Sequence, residues 1–155
     1  MRLSDCIEMI ARRCGLNRGR TATIAHRLQH SGLIALAEAR KSPPDVNPDE
    51  VAWLLLAVLA ENSVATAVER ARALSELHES LSAVFRGVVA PGSIIVRQGG
   101  AIATIGGAHV VCGKPADDGD GRFLTAATLA AIVAEYHGAP PQAADAVRQL
   151  ERLIN

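Results

Sequence analysis

The residue types best suited to chemistry are concentrated between residues 7 and 33, where polar side chains follow a glycine turn. Two short segments with apolar stripes flank this turn, and the second, predicted as a helix over 18–31, is rich in arginine, threonine and histidine. A helix fits the major groove of duplex DNA, and side chains near its N-terminus reach base edges. Arginine donates two parallel hydrogen bonds to guanine, and threonine bonds a base or a phosphate. The predicted base-reading residues are Arg18, Arg20, Thr21 and Thr23.

Further basic side chains around this helix are predicted to contact phosphates. Two of them end the first helix, two follow one to two turns into the second, and two lie in a proline-bearing stretch over 35–45. Because its prolines exclude a regular helix, that stretch is predicted as an exposed basic loop or a short β-wing. An alternative stays open, because arginines on an exposed helix also form a solvated or protein-binding face. The predicted phosphate contacts are Arg12, Arg13, His26, Arg27, Arg40 and Lys41.

The charge of the chain is unevenly distributed, although its formal net charge is zero. Residues 1–41 contain eight basic and three acidic residues, a net charge of +5, whereas residues 42–155 contain eight basic and thirteen acidic residues, a net charge of −5. Such asymmetry is typical of a basic binding module attached to a mildly acidic body. The sequence therefore predicts that the N-terminal part contacts a polyanion.

Three helices are expected to position these side chains. The first spans 3–14, with Ser4 as its cap and Gly15 as its end, and Asn17 caps the second. The third begins at Asn47-Pro48-Asp49-Glu50, which combines a cap residue, a first-turn proline and two acids at the positive end of the helix dipole. Residues 51–60 are apolar on all sides, so this helix is predicted to be central to the core.

The end of the second predicted helix resembles the recognition helix of winged helix-turn-helix proteins, which often finish in an R-L-x-x-x-G-L-I stretch. Arg27, Leu28, Gly32, Leu33 and Ile34 match that pattern. The basic stretch and the helix that follow it look like a type met in bacterial prophage genes. The resemblance covers about residues 3–60, and the sequence predicts no counterpart of the additional N-terminal helix that is usual in these proteins. It implies a winged helix-turn-helix that binds double-stranded DNA.

The remainder of the chain is predicted to contain a long helix, a β-meander and two further helices. Short β-type runs at 94–97, 101–105 and 109–112 are separated by paired glycines, which favour hairpin turns. The final helices are predicted at 125–137 and 142–154. Over 64–86 the apolar positions repeat in steps of three and four, which suits a helix hairpin or an intersubunit seam. The predicted oligomerisation residues are Ala67, Ala71, Leu74, His78, Leu81 and Phe85.

Several other functions are not favoured by the residue spacing. His26 and His30 are four residues apart, but no third ligand stands at a recognisable spacing, so no metal site is predicted. No nucleophile motif or acid–histidine constellation is present, so we expect neither a cofactor nor enzymatic activity. Three cysteines without CxxC spacing indicate a reduced, cytoplasmic protein, and the first two are expected in the core. These cysteines are Cys6, Cys14 and Cys112.

No membrane association is expected either. The longest strictly apolar run, 51–60, is half the length of a membrane span. The polar and charged residues after Met1 predict no signal peptide.

Together these observations predict an α+β protein that is mostly α. A helix-turn-helix module over 1–61 is followed by a helical connector or oligomerisation helix over 62–86, then by a small antiparallel β-meander with two helices over 87–155. The expected function is non-enzymatic binding of double-stranded DNA, as a dimer or ring in the cytoplasm of a bacterial host cell. A transcriptional regulator is favoured. The alternatives are a phage small terminase subunit, which would also bind a phage protein, and a protein-interaction adaptor.

Overall fold

The computed structural model describes residues 1–36, 45–117 and 119–154, the last helix without the side chains of residues 151, 152 and 154. Helices and strands alternate in blocks along this part of the chain. In order, they are α1 (Leu3–Cys14), α2 (Arg18–His30), α3 (Pro48–Ala60), α4 (Ala67–Arg72), α5 (Ser75–Phe85), β1 (Ser93–Arg97), β2 (Gly100–Ile105), β3 (Ala108–Gly113), β4 (Arg122–Leu124), α6 (Ala126–Tyr136) and α7 (Pro141–Ile154).

The predicted class, α+β and mostly α, is confirmed. Asn17 caps α2 by accepting a hydrogen bond from the Arg20 backbone N–H at 3.1 Å. Asn47 and Glu50 form a reciprocal capping box at the start of α3. The prediction that Ser4 caps α1 is wrong, because that helix begins at Leu3 and the Ser4 hydroxyl bonds Asp5 instead.

Helix α3 lies at the centre of the core, as its apolar sequence predicts. Every residue from Glu50 to Ala60 is buried except Trp53, which is partly buried. The helix contacts α2, α4 and α5 as well as strands β1 and β4. One hydrophobic core therefore extends across the three predicted segments, 1–61, 62–86 and 87–155.

The sheet confirms the meander and adds a strand that the sequence did not predict. Its order is β3-β2-β1-β4, and every pair is antiparallel. Ile94 of β1 lies opposite Ala103 on one side and Leu124 on the other, and all three are buried. The β2–β3 turn uses Gly106 at φ +57°, where a side chain would also collide with Val89.

The prediction of a continuous helix over 64–86 is wrong. Helix α4 ends at Arg72 and α5 begins at Ser75, with Leu74 in a non-helical conformation between them. Both short helices pack against α3, and α4 also contacts α2 whereas α5 contacts the sheet. The break thus allows each half to bury its apolar side against a different part of the same core.

Residues of the predicted intersubunit seam pack inside this chain. The side chains of five of them belong to the core and are not presented to a second copy. The sixth, His78, is partly buried and stacks on Trp53 with ring centroids 4.0 Å apart. Its Nε2 lies 3.0 Å from the backbone oxygen of Asp49. The five buried residues are Ala67, Ala71, Leu74, Leu81 and Phe85.

The predicted loop or wing over 35–45 falls largely on residues 37–44, which lie outside the described residues, and with it Arg40 and Lys41. After this segment, Asp45 forms an isolated antiparallel bridge with Arg2. None of the helices in the described part of the chain combines the length and the apolar character that crossing a bilayer requires.

Candidate nucleic-acid interface

Helix α2 is held against α1 and α3 by one apolar side. Ile24, Ala25 and Leu28 are at most 1% exposed and belong to the continuous core. The opposite side remains exposed over the length of the helix. We call Arg18, Thr23, His26 and Arg27 the outer face of α2.

The outer face carries no acidic side chain, because α2 contains neither aspartate nor glutamate. Arg27 forms no side-chain hydrogen bond or ion pair with another described residue. The Nε of Arg18 is 3.9 Å from a carboxylate oxygen of Glu8, and both side chains are about two-thirds exposed. An ion pair so exposed contributes little to stability, and Arg18 can exchange the Glu8 carboxylate for another anion.

Arg20 is directed away from the outer face, towards the end of α3. Its guanidinium donates two hydrogen bonds of 2.8 Å to the two carboxylate oxygens of Glu61. Arg122 donates to Glu61 at 2.9 Å and also bonds the backbone oxygen of Val58. The hydrogen bond from Arg20 lowers the pKa of Glu61 in spite of its burial, and the same contact raises the pKa of Arg20. This Arg20–Glu61–Arg122 cluster joins α2, α3 and β4.

The two arginines at the end of α1 also have partners within the chain. Arg12 and Arg13 each donate to Glu135 of α6 at 2.5 Å. Arg13 also bonds Asp145 and the backbone oxygen of Pro141, and its side chain is only 4% exposed. Burial lowers the pKa of Arg13, but its hydrogen bonds with Asp145 and Glu135 outweigh that effect and raise it overall. Arg13 is therefore not available to a duplex in this conformation.

Of the two threonines predicted to read bases, one is buried and the other is exposed. Thr21 is 1% exposed, and its hydroxyl donates to the backbone oxygen of Asn17 at 3.1 Å. Thr23 is exposed and donates to the oxygen of Gly19 at 3.0 Å. A hydroxyl that donates in this way still has lone pairs with which to accept. Of the pair, only Thr23 is placed to meet a ligand.

His26 and His30 bring two ring nitrogens together on the exposed side of α2. Their Nε2 atoms are 3.0 Å apart, so one ring donates a hydrogen bond to the other. Within residues 1–36, 45–117 and 119–154, no group of three or more histidine, cysteine or acidic side chains is arranged to hold a metal ion. The histidine pair is thus a hydrogen-bonded pair that lacks further protein ligands in the described structure.

The cysteines are poorly suited to nucleophilic chemistry. Burial raises the pKa of the Cys6 thiol to about 12 and that of Cys14 to about 11. Thiols with such values remain protonated at neutral pH, and the thiolate is the reactive form. Cys6 is fully buried in the core, as predicted. Cys14 is partly exposed and packs against the core.

The sequence did not predict Glu61 and Glu135, the carboxylates that pair with the basic residues of α1 and α2. It also did not predict Arg122, which pairs with Glu61. Glu61 directly follows the apolar run of α3 and is the C-cap residue of that helix. An acidic residue directly after a buried helix is a usable signal, because its carboxylate begins close to the core and requires a partner there. Nothing in the local sequence around Glu135 or Arg122 indicates which residues they contact.

The arrangement separates two sets of basic side chains. One set is paired with buried or partly buried carboxylates, and the other, on the outer face of α2, lies in solvent and can bind an anionic partner. Comparison with known proteins found no match among protein-family models, curated proteins or solved structures.

Proposed function

We propose that this chain is a non-enzymatic protein that binds double-stranded DNA through the outer face of α2. The proposal rests on one observation: a capped helix that contains no acidic residue is packed by its apolar side against two other helices and exposes arginine, threonine and histidine on the other side. In this proposal α1 and α2 act as the helix-turn-helix, and the segment over 35–45 acts as its wing. Arginine and threonine supply both phosphate contacts and hydrogen bonds to base edges.

The proposed footprint is smaller than the charge of the sequence suggests. Arg12, Arg13 and Arg20 already have carboxylate partners, so Arg18 and Arg27 are the basic side chains offered by the described part of α2. Each phosphate neutralised contributes about −0.9 to the slope of log affinity against log salt. We therefore expect a slope of about −2 per subunit from these two side chains.

The test is a salt titration of affinity for a fluorescently labelled duplex, measured by anisotropy. Arg27→Gln and Arg18→Gln are each expected to weaken binding about fivefold and to make the slope less steep by about 1. Arg86→Gln is the control, because Arg86 is also an exposed arginine but belongs to the end of α5 and pairs with Asp49. The proposal is contradicted if the affinity does not depend on salt concentration, or if both α2 variants leave the affinity unchanged.

Within this proposal a transcriptional regulator is favoured and a small terminase subunit is the alternative. A single module of this kind binds weakly, so both roles require several subunits. Mass measured by light scattering separates them, since a dimer favours regulation and a ring of many subunits favours DNA packaging. Because five of the six predicted seam residues are buried, self-association would have to use another surface.

A second candidate function, a protein-interaction adaptor, is favoured by two exposed side chains of α7. Leu150 is 59% exposed and Leu153 is 84% exposed. Large apolar side chains exposed on one helix are typical of protein contact surfaces. An adaptor would show no salt-dependent affinity for duplex DNA in the titration above.

A further inference from the structure

A cavity of about 370 Å³ lies beside the turn that joins α1 to α2. Strand β4, the first turn of α6, helix α7 and Leu59 of α3 line it together with that turn, and one side is open to solvent. Its volume falls within the range of pockets that take small molecules. The polar side chains lining it are Arg13, Arg122, Arg148, Thr125 and Thr128.

Positive charge exceeds negative charge around this cavity. Three carboxylates belong to the ion-pair clusters at its border, namely Glu61, Glu135 and Asp145. Four arginines are paired with them, and Arg148 adds a fifth guanidinium without an ion pair to any described side chain. Among these described side chains the excess is two positive charges. The four paired arginines are Arg12, Arg13, Arg20 and Arg122.

Arg148 also has a buried donor that the described chain does not satisfy. Its Nε is inaccessible to solvent and has no hydrogen-bond partner. Buried donors in native proteins almost always have an acceptor, and an unpaired one is a reason to look for an ion or ligand. Because this N–H is closed to a bound ligand, an anion in the cavity would instead contact the terminal nitrogens of the same guanidinium, which belongs to a residue that lines the cavity.

Two further properties limit the chemistry of that acceptor. Arg122 uses two of its nitrogens on Val58 and Glu61, and its remaining N–H groups are left to donate to a ligand. An anion with several oxygens could accept from Arg122 and Arg148 together. Leu16, Leu59 and Phe123 form apolar walls beside these donors. The site thus combines a cationic end with an apolar end.

We propose that this cavity binds a phosphoryl or sulfuryl oxyanion, with Arg148 as its main ligand and Arg122, Thr125 and Thr128 beside it. The ligand is either free phosphate or a small phosphate ester whose apolar body lies against Leu16 and Phe123. This site is separate from the outer face of α2 and does not depend on DNA binding.

The experiment is an NMR titration of the ¹⁵N-labelled protein with inorganic phosphate and, separately, with phenyl phosphate, each against sodium chloride at equal ionic strength. We expect saturable shifts of the Leu16, Thr125 and Thr128 amides with phosphate and none with chloride. Tighter binding of phenyl phosphate than of phosphate assigns the site to an ester, and equal binding assigns it to the free anion.

Two variants test the role of Arg148. Arg148→Gln is expected to weaken the binding of phosphate about tenfold, because charge-assisted hydrogen bonds to the oxyanion are lost. Arg148→Lys keeps the charge but not the planar guanidinium, and its affinity for phosphate is expected to lie between those of Arg148→Gln and the parent chain. Arg86→Gln, away from the cavity, is expected to bind as the parent does.

The proposal is overturned if phosphate and chloride produce the same shifts, or if Arg148→Gln binds phosphate as tightly as the parent. Circular dichroism establishes that each variant is folded. If Arg148→Gln does not fold, Arg148→Lys decides, and unchanged phosphate affinity in that variant rejects Arg148 as the main ligand.

Discussion

Helices α1 and α2 are neighbours of nearly equal length, twelve and thirteen residues, but they use their arginines differently. At the end of α1, Arg12 and Arg13 are paired with Glu135, and Arg13 is almost fully buried. On α2, Arg18 and Arg27 remain in solvent. Side chains that look equivalent in the sequence thus divide into a set that joins parts of the fold and a set that can meet a partner.

The difference shows that a basic stretch of sequence is not by itself a binding surface. Glu135 is 122 residues away from Arg13 along the chain, and Glu61 is 41 residues away from Arg20. The acidic surplus of the later residues is therefore partly the internal counterpart of the basic surplus at the front. Only the positive charge left after this pairing is available to a polyanion.

The largest expected effect is on stability, and it differs between the arginines of α1 and α2. Arg13→Met removes a buried guanidinium and leaves Glu135 and Asp145 short of a partner, so we expect a loss of about 2 to 3 kcal/mol in the free energy of unfolding. Arg18→Met, whose side chain is 65% exposed, should stay within about 0.5 kcal/mol of the parent. Urea unfolding measures both.

DNA affinity of the same two variants should follow the opposite order. Under conditions where both remain folded, Arg18→Met is expected to bind duplex more weakly and Arg13→Met to bind as the parent does. Equal effects of the two substitutions on stability would remove the distinction between α1 and α2.

A smaller loss of stability is expected when the Arg20–Glu61–Arg122 cluster, which joins α2 to β4, is disrupted. Glu61→Gln removes a buried carboxylate that accepts from two arginines, which destabilises by about 2 kcal/mol. This is less than for a fully buried pair, because Arg20 is 45% exposed and its freed guanidinium regains water. Glu69→Gln, exposed on α4, is the control and should be close to neutral in chemical denaturation.

The smallest expected effect is that the stability lost in Glu61→Gln depends on pH. The folded pKa of Glu61 is below its ordinary value of 4.5, so the unfolded chain takes up the proton more readily. The stabilisation is complete above pH 4.5 and is lost as the pH falls through the lower, folded pKa. Thermal melts should show the gap between parent and Glu61→Gln closing in acid, and a gap that widens there would contradict this account.

Much of the fold could be predicted because its signals are local. Asn17 and Asn47 each mark a helix start within a few residues, and the glycine pairs mark the hairpin turns. Strand β4 could not be predicted, since it has three residues, leaves Phe123 exposed and exists by pairing with β1. The break at Leu74 likewise depends on packing against α3, which the apolar repeat of the sequence does not reveal.

The candidate interface was predictable to a smaller extent. The sequence placed Thr21 and Thr23 together, but the fold buries one and exposes the other, because only helix rotation against α1 and α3 decides that. The partners of Arg12, Arg13 and Arg20 come from later elements. Such long-range ion pairs have no signature at the positions of the arginines themselves.

The position of Glu135 on α6 has a practical consequence for studying the front of the molecule in isolation. A fragment ending after α5 would keep all three N-terminal helices but lose the carboxylates that Arg12 and Arg13 contact and the strands that cover α3. Its freed arginines would bind nucleic acid in vitro whether or not the intact chain does. Affinities measured on such a fragment would therefore overstate those of the whole protein.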